Sequence, residues 1–178
     1  MEKRKGLLIV NTGNGKGKTT AALGTVLRAV GYQWKVYIIQ FMKGTWHYGE
    51  LDGIKLLNDF VKLRPLGKGF YKILDDSATE EEHREAALLA LQEAEKEMLS
   101  GDWQLMILDE VLVAVMLGLL SENELLTFLE KRPPDMYVIL TGRGATNRVI
   151  ELADMVTEMK EIKHPYQKGI LAQKGIDF

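Results

Sequence analysis

The sequence predicts a three-layer α/β domain, a mostly parallel sheet with helices on both faces. Three observations carry this. Short apolar stretches of strand length alternate with longer segments of helical apolar spacing along nearly the whole chain, the pattern of repeated βα units. Several of the short stretches are continuously apolar, as strands covered on both faces are. Hydrophobic residues make up 46% and charged residues 27% of 178, a globular composition that excludes disordered, collagenous and coiled-coil chains. That length fits one domain, residues 1–178.

The elements follow in order. Gly6 to Asn11 is an apolar run that feeds a glycine-rich turn, and Thr19 to Val30 behind it has helical spacing. Lys35 to Phe41 reads as a second buried strand. Residues 42–60 have loop character, and Val61 to Leu66 forms a third strand before Gly67 and Gly69. Ser77 and Thr79 precede Glu80, Glu81 and Glu82, which predicts a capping box at the start of a helix. Its apolar stripe runs through Ala87, Leu88, Leu91, Ala94 and Met98. Gln104 to Leu108 is a strand ending in Asp109 and Glu110. Glu122 to Lys131 is helical with Ser121 as its cap, Tyr137 to Leu140 is a strand ending at Thr141-Gly142-Arg143, Asn147 to Ala153 is helical, and Met155 to Met159 is the last strand. In such a sheet ligands belong at the carboxyl ends of the strands.

Several chemistries drop out early. With no cysteine there is no disulfide, thiolate metal site or cysteine nucleophile. His47, His83 and His164 lack ligand spacing, so no zinc site is expected, and there is no Gly-x-Ser-x-Gly elbow. The longest apolar run, Val111 to Leu120, is about half of what a bilayer crossing needs. No signal-peptide pattern precedes Gly6. A cytoplasmic protein that does not touch the membrane is expected.

The sharpest local feature is Thr12-Gly13-Asn14-Gly15-Lys16-Gly17-Lys18-Thr19-Thr20, set between a buried strand and a helix. That is the context of a P-loop. Its glycines let successive backbone N–H groups form an anion nest, Lys18 neutralises phosphate, and Thr19 holds a magnesium ion. One departure stands at the front, where the first glycine of G-x-x-x-x-G-K-[ST] falls on Thr12 and Gly13 and Gly15 supply the flexibility instead. Asp109 or Glu110, at the end of an apolar strand, supplies a hard oxygen to the magnesium shell, directly or through water. Arg143 lies on the same sheet edge and adds a second phosphate-neutralising cation. Residues 1–72 carry 13 Lys or Arg against four acids, a net +9, and residues 73–178 carry 10 against 21, a net −11. A positive first part favours an anionic ligand or partner. These residues define a magnesium-nucleotide-binding domain and do not choose its reaction.

Five segments in order resemble the P-loop-type corrinoid adenosyltransferases: Gly13 to Thr20; Gln40-Phe41-Met42-Lys43-Gly44-Thr45-Trp46 with Gly49-Glu50; Leu108-Asp109-Glu110; Thr141-Gly142-Arg143-Gly144; and Lys163-His164-Pro165 with Ala172 through Phe178. The resemblance implies a P-loop NTPase (RecA-like) fold and transfer of the 5′-deoxyadenosyl group of ATP to the Co(I) of a reduced corrinoid, with release of triphosphate. Co(I) is itself the nucleophile, so the protein orients, neutralises charge and excludes water. The catalytic residues implied are Lys18 and Arg143. ATP is held by Gly13, Asn14, Gly15, Lys16, Gly17, Lys18, Thr19, Thr20 and Arg143, in the reverse sense to ordinary NTPases. The metal, Mg²⁺ or alternatively Mn²⁺, is linked to Thr19 with Glu110 or Asp109. Trp46, Phe70 and Tyr71 are implied to face the corrin, and a flavodoxin-type electron donor and a homodimer complete the picture.

Two departures from the family pattern carry expectations. Lys72 stands where relatives usually have tryptophan, which makes an incomplete corrinoid the better substrate. Only five residues precede the first strand, which predicts a more open nucleotide site than in long-extension relatives. The rival readings are a P-loop ATPase or kinase, separated by its ADP and phosphate products, and a nucleic-acid-binding module. The latter is disfavoured because basic residues are not interleaved with aromatics.

Overall fold

The computed structural model describes residues 5–44, 47–69, 71 and 78–178. Six strands form one parallel sheet: β1 (Leu8–Thr12), β2 (Val36–Gln40), β3 (Val61–Pro65), β4 (Leu105–Asp109), β5 (Tyr137–Thr141) and β6 (Met155–Glu158), in the spatial order β3-β2-β4-β5-β1-β6. The helices are α1 (Lys18–Gly31), α2 (Gly49–Lys55), α3 (Glu80–Leu99), α4 (Val111–Met116), α5 (Glu122–Glu130) and α6 (Asn147–Leu152). This is the α/β architecture the pattern predicts, with every predicted strand present to within two residues at each end.

Strand alternation sorts the core into two layers. Val36, Ile38, Leu105, Ile107 and Ile139 pack with Ala22, Val26 and Ala29 of α1. Tyr37, Ile39, Met106, Leu108, Val138 and Leu140 face the other way, onto α3, α4 and α5. Because β2 and β4 are buried along their whole length, they read as continuous apolar runs. α3 presents Ala87, Ala90 and Ala94 to this layer, small residues that let the helix lie close to the sheet. Thr79 and Glu82 form its capping box, and Ser121 with Glu124 form that of α5. Ser77 lies outside the described residues.

Two helices depart from the sequence reading. α2 falls in the stretch expected to be loop; it has two glycines and no buried residue, so no apolar stripe betrays it. α4 lies within the apolar run 111–120, where a helix tucked under neighbours has no polar face to reveal a period. Among the described residues no helix is long and apolar enough to cross a membrane.

The order of strands puts β1 between β5 and β6, and β4 between β2 and β5. The carboxyl ends of β1, β2, β4 and β5 therefore share one edge. The P-loop, the β2–α2 loop, the Asp109-Glu110 pair and Arg143 all leave from it.

Candidate active site

The glycine-rich loop leaves β1 at Thr12 and enters α1 at Lys18. Gly13 has φ +94, and a Cβ there would lie 2.5 Å from the Met159 carbonyl oxygen. Only glycine fits so close a backbone approach. The loop is stitched to the chain after β6: Met159 N–H donates to the Thr12 carbonyl at 2.8 Å and Gly15 N–H to the Met159 carbonyl at 2.6 Å. This accounts for the shifted front glycine, because Gly13 makes the turn and Thr12 completes the strand, its hydroxyl accepting from Ala145 N–H at 3.3 Å. Gly17, with φ +115, caps α1 without a side chain, leaving the helix N-terminus open to an anion.

Lys18 is buried, and its Nζ donates to the Gly15 carbonyl at 2.7 Å. Burial lowers its pKa, Glu110 opposes that shift, and Arg143 adds to it. The amine is thus folded back onto its own loop.

Asp109 is 1% exposed and fully engaged by protein donors. Its Oδ1 accepts from Thr19 Oγ1 at 2.8 Å and Thr141 Oγ1 at 2.7 Å, and its Oδ2 from Gln40 Nε2 at 3.1 Å. The sequence leaves Asp109 and Glu110 open as metal-linked residues, and the two stand differently in the structure. Asp109 orients the Thr19 hydroxyl, whereas Glu110 lines the cleft. Glu110 takes φ +62, uncommon for a side-chain-bearing residue, with its N–H donating to Thr141 Oγ1 at 2.9 Å. Burial pushes its carboxyl up to about 6; neighbouring Asp109 adds to the rise, and Lys18, Lys43 and Arg143 oppose it.

The structure adds residues that the sequence reading did not assign to the site. Gln40 ends β2 opposite Asp109 in register, and its amide also reaches Glu50 Oε1 at 3.3 Å. Glu50 pairs with Lys43, whose amine sits 4.2 Å from the centre of the Tyr48 ring. Lys43, Tyr48 and Glu50 line the same cleft of about 590 Å³ as Lys16, Lys18 and Glu110. Gln40 Oε1 and Tyr48 Oη are buried with no hydrogen-bond partner among the described residues. Both N–H groups of Gln40 face carboxylates, which fixes the amide so that Oε1 is the unmatched atom. Two signals were available: Gln40, Lys43 and Glu50 belong to a segment that carries the family resemblance, and all four residues flank the exit of a strand whose neighbour ends in Asp109.

Of the other expected site residues, Arg143 stands exposed just past β5, near enough for its charge to act on Lys18 and Glu110. Lys16 and Thr20 line the cleft. Asn14 is exposed on the loop. Tyr71 is half-buried against the core, its ring 5.2 Å edge-on from His83 and its hydroxyl on Glu80. Trp46, Phe70 and Lys72 lie outside the described residues.

A phosphate cradle on the first βα turn of a parallel sheet, with a threonine–aspartate pair behind it and a second carboxylate in front, defines a P-loop nucleotide-binding domain of RecA-like fold. Solved structures agree at the level of fold. The flagellar accessory protein FlaH of Methanocaldococcus jannaschii superposes with TM-score 0.58 over 87% of this chain and 71% of that one at 13% identity. A KaiC-like protein of Pyrococcus horikoshii gives 0.51 over 90% and 75% at 14% identity. The profile of the ATP:corrinoid adenosyltransferase BtuR/CobO/CobP family matches residues 4–178. Curated relatives include the corrinoid adenosyltransferase CobA of Salmonella typhimurium, 39% identical over 99% of this chain and 88% of that protein. The corrinoid adenosyltransferase of a Sinorhizobium species is 40% identical over 98% and 81%. The chain belongs to the ATP:corrinoid adenosyltransferase family, whose members are transferases that take ATP and a corrinoid as substrates.

Proposed function

We propose that this site moves the 5′-deoxyadenosyl group of ATP onto the Co(I) of a corrinoid, with Lys18 and Arg143 neutralising the leaving triphosphate. The cobalt electron pair forms the Co–C bond as the C5′–O bond breaks and its electrons leave with the triphosphate. The observation that carries the reading is a single cleft combining a P-loop, the cations Lys16, Lys18 and Lys43, and the carboxylate of Glu110. Such a cleft suits a leaving group that gathers negative charge, and a nucleophilic metal needs no base from the protein.

In this reading Gly13 to Thr20 cradle the polyphosphate, and Lys18 exchanges the Gly15 carbonyl for phosphate oxygen. Asp109 is a positioning residue acting through Thr19. The Thr19 hydroxyl and the Glu110 carboxylate are hard oxygen donors at the mouth of the cradle, a set that fits Mg²⁺, or Mn²⁺, shared with phosphate. When bound, the ion neutralises triphosphate oxygens. Trp46, Phe70 and Tyr71 wall the corrin side. The protein works as one domain, as a homodimer in the cytoplasm, on a corrinoid whose cobalt a flavodoxin-type donor reduces to Co(I), and without nucleic acid or membrane.

The test mixes the protein with MgATP and chemically reduced corrinoid, without oxygen and in the dark. A light-sensitive cobalt–carbon product with stoichiometric triphosphate is expected; ADP and phosphate in its place would refute the reading.

A further inference from the structure

Gln40 closes β2 on the sheet edge from which the P-loop and the Asp109-Glu110 pair leave, 1% exposed, and has no role in the reaction as derived above. A buried amide whose oxygen finds no partner is costly, so its place calls for a reason. Its N–H groups supply one. They bridge carboxylates on two sides of the cleft, Asp109 Oδ2 at 3.1 Å and Glu50 Oε1 at 3.3 Å. Asp109 stands on the nucleotide side, its Oδ1 taken by the hydroxyls of Thr19 and Thr141 and its Oδ2 by Gln40. Glu50 stands in the first turn of α2, where it also holds the Lys43 amine.

The backbone of Gln40 reaches a third segment. Its carbonyl accepts from Leu66 N–H at 3.1 Å and Gly67 N–H at 3.2 Å, at the exit of β3. The loops behind β2 and β3 pack backbone to backbone, since a Cβ on Gly44 would lie 2.7 Å from Gly69 Cα and one on Gly67 would meet the Phe41 carbonyl.

We infer that Gln40 is a positioning residue that couples the two substrates, passing the state of the phosphate cradle through Asp109 to the loops on the corrin side. This rests on the proposed function, which sets ATP at the P-loop and the corrin against Trp46, Phe70 and Tyr71. Coupling needs two arrangements that each ligand biases. One is the bridge as it stands, with the amide shared between both carboxylates; in the other the amide serves one of them alone. A cation and phosphate at Thr19 draw on the hydroxyl that Asp109 accepts from, and so change the demand of that carboxylate on the amide. A ligand that presses on the β2 and β3 loops bears on Glu50 and on the Gln40 carbonyl. Thr19 and Thr141 reach Asp109, and Lys43 reaches Glu50, but Gln40 reaches both.

Calorimetric titration of the full chain with cob(II)alamin, with and without MgATP, reads the coupling as a ratio of two affinities. Co(II) lacks the electron pair that attacks carbon, so no transfer intervenes. In the wild type MgATP is expected to tighten cob(II)alamin binding about tenfold. Gln40→Met keeps the side-chain length and removes both donors; its ratio is expected within about twofold of one, with MgATP alone bound within about threefold of wild type. Glu50→Leu removes the acceptor at the other end of the bridge and is expected to lower the ratio by about threefold or more. A merely structural Gln40 would weaken both ligands and leave the ratio at its wild-type value, which overturns the inference, as does a wild-type ratio of one. Should Gln40→Met fail to fold, Glu50→Leu decides alone, and an unchanged ratio refutes the coupling. A wild type that couples the ligands yet forms no cobalt–carbon bond after reduction defeats the proposed function and leaves the ratio readable. One that adenosylates while neither variant changes the ratio defeats this inference alone, and one that binds cob(II)alamin in neither condition defeats both.

Discussion

Lys18 and Glu110 are both held where water would not leave them, one cation and one carboxylate withdrawn into the same cleft. Replacing Lys18 with alanine removes the buried charge at the phosphate cradle, and transfer is expected to fall by about 10²–10³-fold with the far-ultraviolet spectrum unchanged. Glu110 tests the electrostatics in the metal-free protein. Its folded carboxyl titrates at about 6 against an ordinary 4.5, so the folded state holds this proton more tightly than the unfolded one. The associated stability is full below the unfolded value and is lost as pH rises through about 6. Glu110→Gln removes that loss, so between pH 4.5 and 7.5 the variant should gain on the order of 1–2 kcal/mol relative to wild type, read from urea midpoints. The P-loop and the Asp109-Glu110 pair were legible because their chemistry is carried by neighbours in sequence. Gln40, Lys43 and Glu50 entered the sequence reading only inside a segment of the family resemblance, with no role attached, and Tyr48 not at all, since nothing in their own chemistry marks a strand end and the loop behind it as part of a site. They join the site only because β2 lies beside β4. The fully engaged state of Asp109 was equally hidden, resting on donors from three different elements.

The helices differ in how openly they announce themselves. α3 was readable because Thr79 and Glu82 mark its start and its apolar stripe keeps one face inward. Removing the cap with Thr79→Ala is expected to cost about 1 kcal/mol, measured as a lower urea midpoint with adenosylation intact. α2 and α4 escaped for opposite reasons: the first buries no residue, while half of the second is buried within an apolar run. Glu110, with its left-handed backbone, is the N-cap of α4, so the turn that projects this carboxylate into the cleft is the turn that starts the helix. β1, β2, β4 and β5 were legible because the inner strands of a parallel sheet covered on both faces demand short, continuous apolar runs, whereas the edge strands β3 and β6 are mixed and largely exposed.

Across the whole molecule the alternation of strand and helix foretold a parallel sheet but not its order, which depends on pairings between distant segments. The charge asymmetry, +9 in residues 1–72 and −11 beyond, belongs to this scale. If an acidic flavodoxin-type donor is drawn to the positive part, the rate of donor-coupled turnover should fall steeply as ionic strength is raised, while turnover with a chemical reductant changes little. Stopped-flow reduction at several salt concentrations checks this. The position of β1, between residues 137–141 and 155–158, has a consequence for biosynthesis. As the polypeptide emerges from the ribosome, its first strand has no strand neighbour until residues 137–141 have followed it, so the part of the fold that carries the P-loop closes late. A ligand held by the P-loop would therefore add stability only to chains in which those later strands are already in place.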